Sequence, residues 1–155
     1  MYTNKAIIRA LQSSALLSIF SFTHSYALSP PAESYLSENY SLQASSDGSS
    51  KASGTSYGNV LDGDNDTYWS PTSTTGRISI KSLDQAINRV VIKQLAGSQN
   101  SVQDWRLVNH DTDQELASGT NGIPTAIDFT TTTIDKINFV VDSASATPKI
   151  TEFET

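Results

Sequence analysis

The side chains of this chain with the most evident chemistry lie in one acidic turn. Asp62, Asp64 and Asp66 stand at alternate positions, separated from one another by Gly63 and Asn65. Such carboxylates suit Ca²⁺, a hard cation that takes about six to eight oxygen ligands. An EF-hand loop would also need a glycine and a glutamate where this chain has Thr67 and Ser73. The turn is therefore a calcium site of another type or a solvated turn, which Asp-Gly and Asn-Asp pairs also favour.

Composition excludes several other kinds of site. The chain has 155 residues, a formal net charge of −6 and no cysteine, which excludes disulfides, thiolate nucleophiles and Cys-bound metals. An acidic chain without a basic run is a poor binder of nucleic acids and anionic membranes. His24 and His110 are the two histidines, too few for a His-rich metal site.

The first 27 residues have the order of segments found in a secretory signal peptide. Lys5 and Arg9 precede an apolar stretch over Leu16–Phe22, and Ser25 and Ala27 provide small residues for cleavage. The apolar stretch is too short to span a bilayer of about 30 Å; a retained N-terminal anchor is the alternative. We predict an exported protein, periplasmic or extracellular, with residues 28–39 as a linker.

The remainder, residues 40–155, predicts one all-β domain. Short apolar or alternating runs are separated by clusters of Ser, Thr, Asn, Asp and Gly, as in strands joined by turns. About eight strands are expected, in an antiparallel β-sandwich or jelly roll whose loops carry the binding residues. The runs are Ser41–Ser45, Arg77–Ile80, Ile87–Gln94, Trp105–Asn109, Glu115–Ala117, Ala126–Phe129, Ile134–Val141 and Ile150–Phe153.

Four segments together resemble a known family. Leu61–Trp69 resembles the signature loop of discoidin-like (coagulation-factor type C) galactose-binding-like domains, and is most similar to carbohydrate-binding module family 32. Gly76–Ile80, Ile87–Ile92 and Lys149–Glu154 resemble later strands of that family in the same order. The resemblance covers residues 40–155 and implies a carbohydrate-binding β-sandwich without catalytic activity.

The resemblance also implies a structural Ca²⁺ between the early loop and the last strand. Such an ion would join distant segments of a chain that has no disulfide. The implied ligands are the carbonyl groups of Asn59, Asp64, Thr67 and Thr151 and the side chains of Asp62, Thr67 and Glu152.

In this family loops form the ligand-binding end, here Ser50–Tyr57, Ser70–Arg77 and Leu95–Ser101. They contain none of the histidines that galactose-binding members usually carry there. Cations in these loops would suit a carboxylated sugar, so galacturonic-acid polymers such as pectin are weighed slightly above neutral galactosides; plain surface charge is the alternative. The candidate ligand-binding residues are Lys51, Tyr57, Arg77, Gln94, Gln99 and Asn100.

Tryptophan and histidine residues could also have functional roles, but the sequence favours structural positions for them. Trp69 and Trp105 are expected in the core, and His110 in a solvated turn. The acidic cluster occupies one turn and does not oppose two carboxylates across a substrate, and no nucleophile-elbow sequence is present. We therefore expect a monomeric binding protein rather than an enzyme. The alternative is a discoidin-like adhesion domain for a protein or lipid head group, although the Ser/Thr-rich loops lack the apolar tips of lipid binders.

Overall fold

The computed structural model describes residues 38–155, so the expected signal peptide and nearly all of the expected linker lie outside the described residues. Residues 38–155 contain a pair of short 3₁₀ helices, and neither is long and apolar enough to cross a membrane. They span Tyr40–Gln43 and Tyr57–Val60. The strands are β1 (Ser45–Gly48), β2 (Gly76–Gln94), β3 (Val102–Asn109), β4 (Glu115–Thr120), β5 (Ala126–Ala144) and β6 (Ile150–Glu154).

Two of these strands are longer than the sequence indicated. β2 joins the expected runs Arg77–Ile80 and Ile87–Gln94 into one strand, and β5 does the same for the runs that begin at Ala126 and Ile134. Ser82 and Asp84 bend β2 with left-handed φ angles of 66° and 45°, and the register shifts nearby. The polar bend interrupts the apolar alternation and so has the pattern of a turn. The expected first strand is instead a 3₁₀ helix followed by β1.

The bend lets β2 and β5 contribute to both layers of an antiparallel β-sandwich. The first half of β2 lies between β1 and the second half of β5, which also pairs with β3; β4 follows at the edge. The second half of β2 lies between the first half of β5 and β6. The predicted fold class is confirmed, with six strands rather than about eight in the described residues.

Apolar side chains of the two layers meet in one core. Phe139 of β5 contacts Phe153 of β6 edge to face, with ring centroids 6.4 Å apart, and Trp105 of β3 at 5.8 Å. Trp69 and Trp105 are buried, as predicted. Their indole N–H groups donate to the carbonyl oxygens of Ser50 and Gly122, both at 2.9 Å, so these rings are buried without leaving a polar atom unpaired.

Candidate functional site

The acidic turn is a compact loop that closes on its own side chains. One carboxylate oxygen of Asp62 accepts a hydrogen bond from the backbone N–H of Asp64 at 2.9 Å, and the other accepts from the Thr67 hydroxyl at 2.6 Å. The backbone N–H of Thr67 donates to the carbonyl oxygen of Asp64 at 3.2 Å. Gly63 has a φ of 75°, a conformation that favours glycine. Oxygens of Asp62, Asp64 and Thr67 therefore face one another across a few residues.

The last strand brings a further carboxylate to this loop. Trp69 and Ile150 exchange backbone hydrogen bonds of 2.8 and 2.9 Å, which fixes the start of β6 beside the end of the loop. The Glu152 carboxyl group lies close enough to Asp62 and to the backbone of Gly63 for both to affect its pKa, which the Asp62 charge raises and the Gly63 backbone lowers. Asp62 and Glu152, separated by most of the domain in sequence, are neighbours in the fold.

Two polar side-chain atoms at this junction are buried without a hydrogen-bond partner, Glu152 Oε1 and Thr151 Oγ1. Only 4% of Glu152 is exposed. Burial raises the pKa of Glu152; Lys93 opposes the rise, and the Asp62 carboxylate adds to it. A buried carboxylate beside a second carboxylate is unfavourable unless a cation or further donors compensate it. The donor set therefore fits a hard cation such as Ca²⁺.

Carboxylates alone do not make this a metal site. Within residues 38–155 no group of three or more His, Cys, Asp or Glu side chains is placed to hold a metal. The fit depends on two carboxylates together with carbonyl and hydroxyl oxygens. Asn59 supports the loop from the preceding 3₁₀ helix, where its side-chain N–H₂ donates to the carbonyl oxygen of Tyr68 at 3.0 Å. Asp66 has no implied role as a ligand and is exposed.

Beside the acidic loop lies a cleft of about 560 Å³. It includes three of the six predicted ligand-binding residues, Gln94, Gln99 and Asn100, which come from the end of β2 and the loop that follows. The same cleft contains residues that sequence reasoning did not select as ligand contacts. These are Asn65 and Asp66 of the acidic loop, Ile92, Lys93 and Ala96, and Ile123 and Thr125 from the β4–β5 connection.

The polar residues that line the cleft are four with neutral amide side chains and two charged ones, Lys93 and Asp66. Gln94 Oε1 is buried without a hydrogen-bond partner, and Asn100 is held in the left-handed region with a φ of 68°. Lys93 contributes little free positive charge, because its ammonium group forms a 2.5 Å ion pair with Glu154. Amide groups both donate and accept hydrogen bonds, so this arrangement suits a ligand rich in hydroxyl groups.

The other three predicted ligand-binding residues do not line this cleft. Lys51 is exposed in the loop after β1. Tyr57 is half-buried against the core and lies on Gly48, where an added Cβ would be 2.6 Å from the tyrosine ring. Arg77 belongs to β2 rather than to a loop, and its guanidinium forms an ion pair with Asp47 at 3.2 Å. Arg77 thus lies in a strand, as the expected run Arg77–Ile80 indicated, and β1 supplies its guanidinium with a carboxylate partner; its role as a ligand contact stays a prediction.

No protein-family model and no curated protein sequence matches the chain, but solved structures match its fold. The family 32 module of Clostridium perfringens NanJ, solved with galactose, has a TM-score of 0.64 at 14% identity, covering 75% of this chain and 96% of the module. CpGH89CBM32-5 from Clostridium perfringens, solved with GalNAc-β-1,3-galactose, has a TM-score of 0.63 at 13% identity, covering 76% and 98%. SpGH29 has a TM-score of 0.65 at 18% identity, covering 76% of this chain but 27% of its own.

These similarities concern the fold. The chain spans nearly the whole of the two modules and about a quarter of SpGH29. Its fold is therefore the β-sandwich seen in these carbohydrate-binding modules, the fold that the sequence resemblance implied.

Proposed function

We propose that this chain is a non-catalytic carbohydrate-binding protein whose ligand occupies the cleft between the acidic loop and the loop after β2. The observation that carries the proposal is that four asparagine and glutamine residues line this cleft. They are Asn65, Gln94, Gln99 and Asn100. A cleft of about 300–1,000 Å³ with a few converging polar groups is the usual form of a small-ligand site. Its position in a fold shared with modules solved with galactose and GalNAc-β-1,3-galactose supports the choice of a sugar.

Two glycan classes are candidates, galactose-type sugars and galacturonic-acid-containing chains such as pectin. The neutral amides and the paired Lys93 favour hydroxyl-rich, uncharged sugar units in the cleft itself. Each hydroxyl that binds gives up hydrogen bonds to water, so we expect a single site to be of modest affinity.

We further propose a structural Ca²⁺ at the junction of the acidic loop and β6. Asp62, Thr67 and Glu152 would hold it with their side chains, and Asn59, Asp64, Thr67 and Thr151 with their carbonyl groups. The support is the unpartnered, buried Oε1 of Glu152 beside the Asp62 carboxylate. When bound, the ion supplies positive charge that compensates two neighbouring carboxylates. It would also hold the cleft wall that carries Asn65.

A binding role is favoured over catalysis because the cleft has a single carboxylate, that of Asp66, among its lining residues. Glycoside hydrolysis ordinarily uses two carboxyl groups placed on either side of the bond. Adhesion to lipid receives no support, since Leu42, 75% exposed, is the one large apolar side chain on the surface of residues 38–155. We propose that the protein is exported, on the strength of the N-terminal sequence pattern.

A glycan array followed by titration calorimetry tests the function. We expect the wild-type protein to bind galactose-type or pectic oligosaccharides, and Gln99→Ala to weaken that binding by about five- to tenfold, as expected for loss of a hydrogen-bonding side chain. Gln103→Ala is the matched control, because Gln103 is an exposed glutamine of β3 outside the cleft. Equal affinities of the two variants, or no glycan bound at all, would contradict the proposal. Release of reducing ends from a polysaccharide would instead indicate an enzyme.

A further inference from the structure

The outer face of the first layer contains an unbalanced group of charges. Asp47 of β1 forms ion pairs with three cations: Arg77 at 3.2 Å, Lys81 at 3.6 Å and Lys136 at 2.8 Å. We call these four residues the Asp47 cluster. The ion pairs Lys93–Glu154 and Arg106–Asp142, by contrast, each join one cation to one carboxylate. The cluster therefore carries two positive charges more than its own carboxylate compensates, on a protein whose formal net charge is −6.

Strand pairing holds the cluster in place. Lys81 of β2 is paired directly with Lys136 of β5, and Ser79 is paired with Asp47 on one side and Asn138 on the other. The Ser79 hydroxyl donates to Asn138 Oδ1 at 2.7 Å, beneath the cations. Side chains alternate between the faces of a strand, so the cations share the outer face, while Ile78 and Ile80 point into the core. Three cationic groups are thus fixed around one carboxylate on a sheet surface.

The cluster remains accessible to a ligand. The exposed fractions of the side chains are 42% for Lys81, 32% for Asp47 and 30% for Arg77, although only 17% for Lys136. Fixed cations that are partly desolvated attract an anion more strongly than freely solvated ones, and their placement by the sheet reduces the entropy lost on binding. A carboxylate above Lys81 and Arg77 would compensate the surplus charge.

We propose that the Asp47 cluster is a second binding surface, which takes the carboxylate groups of an acidic polysaccharide. Acidic residues border it: the backbone N–H of Lys136 lies 3.4 Å from an Asp111 carboxylate oxygen, and Asp135 is the preceding residue. These border charges repel a densely charged polyanion such as a nucleic acid. Double-stranded DNA carries the phosphates of two strands, about one charge per 1.7 Å of its axis, whereas a single polysaccharide chain with one carboxylate per sugar unit has a lower charge density and matches a surplus of two charges.

This inference rests on the proposed function only in that the ligand is a glycan; the surface is separate from the amide cleft. The cluster uses the first half of β2 and the cleft uses the second half. Arg77, expected from the sequence to contact an acidic sugar, thereby keeps that role at a different place. We infer that neutral sugar units bind in the cleft and that acidic units bind at the Asp47 cluster on the sheet face.

Calorimetric titration with polygalacturonate and with neutral galactan, at low and high salt, tests the inference. Lys81→Gln should weaken polygalacturonate binding roughly two- to fivefold, the range of an exposed charge contact, and should leave galactan binding unchanged. Arg89→Gln is the control, because it removes one cation from the same strand in the other layer, and it should preserve both affinities. High salt should reduce the difference between Lys81→Gln and the wild type.

Asp47→Asn separates a binding surface from a purely structural network. Removal of the carboxylate raises the surplus from two charges to three, so we expect tighter polygalacturonate binding even if the melting temperature falls. If Asp47→Asn and Lys81→Gln change stability but leave polygalacturonate affinity unaltered, the inference is wrong. Loss of polygalacturonate binding in Gln99→Ala alone would place the acidic chain in the cleft and also overturn it. Polygalacturonate binding that depends on Lys81, without galactan binding, would refute the cleft proposal alone.

Discussion

Trp69 and Ile150 pair as an isolated antiparallel bridge, each donating its backbone N–H to the carbonyl oxygen of the other. The bridge lies outside the named strand pairs and has both residues buried. It places the end of the acidic loop against the start of β6, the strand that carries Glu152. Protein contacts therefore hold these two segments together, and such preorganisation would favour the binding of an ion at their junction.

The first prediction concerns calcium. An ion that binds only the folded state stabilises it by about 2.7 kcal/mol at a free concentration one hundred times the dissociation constant. We expect added Ca²⁺ to raise the melting temperature and a chelator to lower it. Glu152→Gln should remove the response, since it replaces an anionic ligand by a neutral one. Differential scanning calorimetry with and without chelator measures both effects.

Asp66→Asn is the control for this prediction. Asp66 belongs to the same loop and is exposed, but it is not among the proposed ligands. Its variant should therefore keep the full response to calcium. Identical melting temperatures for the wild-type protein in excess calcium and in chelator would exclude the ion from this junction.

The second prediction separates sugar binding from folding at Asn100. This residue has left-handed backbone angles, which glycine adopts without steric cost. Asn100→Gly should therefore change the free energy of unfolding by less than about 1 kcal/mol, because relief of strain and the greater freedom of the unfolded chain oppose each other. It should nevertheless weaken glycan binding, since an amide of the cleft is lost. Unchanged affinity in a stable Asn100→Gly protein would remove Asn100 from the site.

The third prediction concerns the core beneath β4. Gly119 is paired with Trp105, and a Cβ at Gly119 would lie 2.6 Å from the indole ring. The ring must shift to accept it, so Gly119→Ala should lower the free energy of unfolding by about 1–3 kcal/mol, the usual effect of overpacking. Ser118→Ala, at the exposed neighbouring position, should have little effect. If Trp105→Phe provides space for the Cβ added at position 119, the variant with both substitutions should lose less free energy of unfolding than the two single variants together. Denaturant titrations measure this difference.

The fourth prediction is a pH dependence at Asp47. Burial alone would raise the pKa of this carboxyl group, but Lys136, Arg77 and Lys81 together hold it below its ordinary value of 3.8. A lowered folded-state pKa contributes stability above the ordinary value, and that stability is lost as the pH falls through the lowered pKa. At pH 7 we expect Asp47→Asn to be less stable than the wild type by about 1 kcal/mol or somewhat more.

The difference in stability between Asp47→Asn and the wild type should decrease below about pH 4, where the carboxyl group begins to be protonated. Urea titrations at pH 7, 5 and 3 measure it. Glu115→Gln, at an exposed position of β4 that does not belong to the Asp47 cluster, provides a control for a general change of charge. A stability difference between Asp47→Asn and the wild type that stays constant from pH 7 to pH 3 would show that the cations do not act through the ionised form of Asp47.

Sequence reasoning located features that local pattern and family resemblance determine. The alternation of apolar residues predicted the all-β class. The burial of Trp69 followed from its position in the family resemblance, and that of Trp105 from its position at the start of an expected strand. The family resemblance implied that Asp62 and Glu152 lie close together, and in the structure they are close enough for their charges to interact. Spacing alone had left the acidic turn open between a cation site and a solvated turn.

Features that depend on strand pairing could not be found in this way. Thr125 enters the cleft because its carbonyl oxygen accepts a hydrogen bond from the backbone N–H of Ile92 at 2.9 Å, and no local pattern marks that contact. Asp47 was not selected at all, since its significance comes from β1 lying beside Arg77 and Lys81. The bend at Ser82 was interpreted as a gap between strands, because polar residues at turns and at strand bends have the same composition.

That bend also determines how changes in chain length would affect the domain. β2 presents Arg77 and Lys81 in one layer and Lys93 and Gln94 in the other. Deletion of one residue at the bend would shift the register of one arm, and a shift of one residue exchanges the inward and outward side chains of a strand. The shifted arm could then keep its hydrogen bonds to the neighbouring strands only if its core residues faced water. We therefore expect homologues to vary freely in the loops on either side of β2 but to keep the number of residues within it.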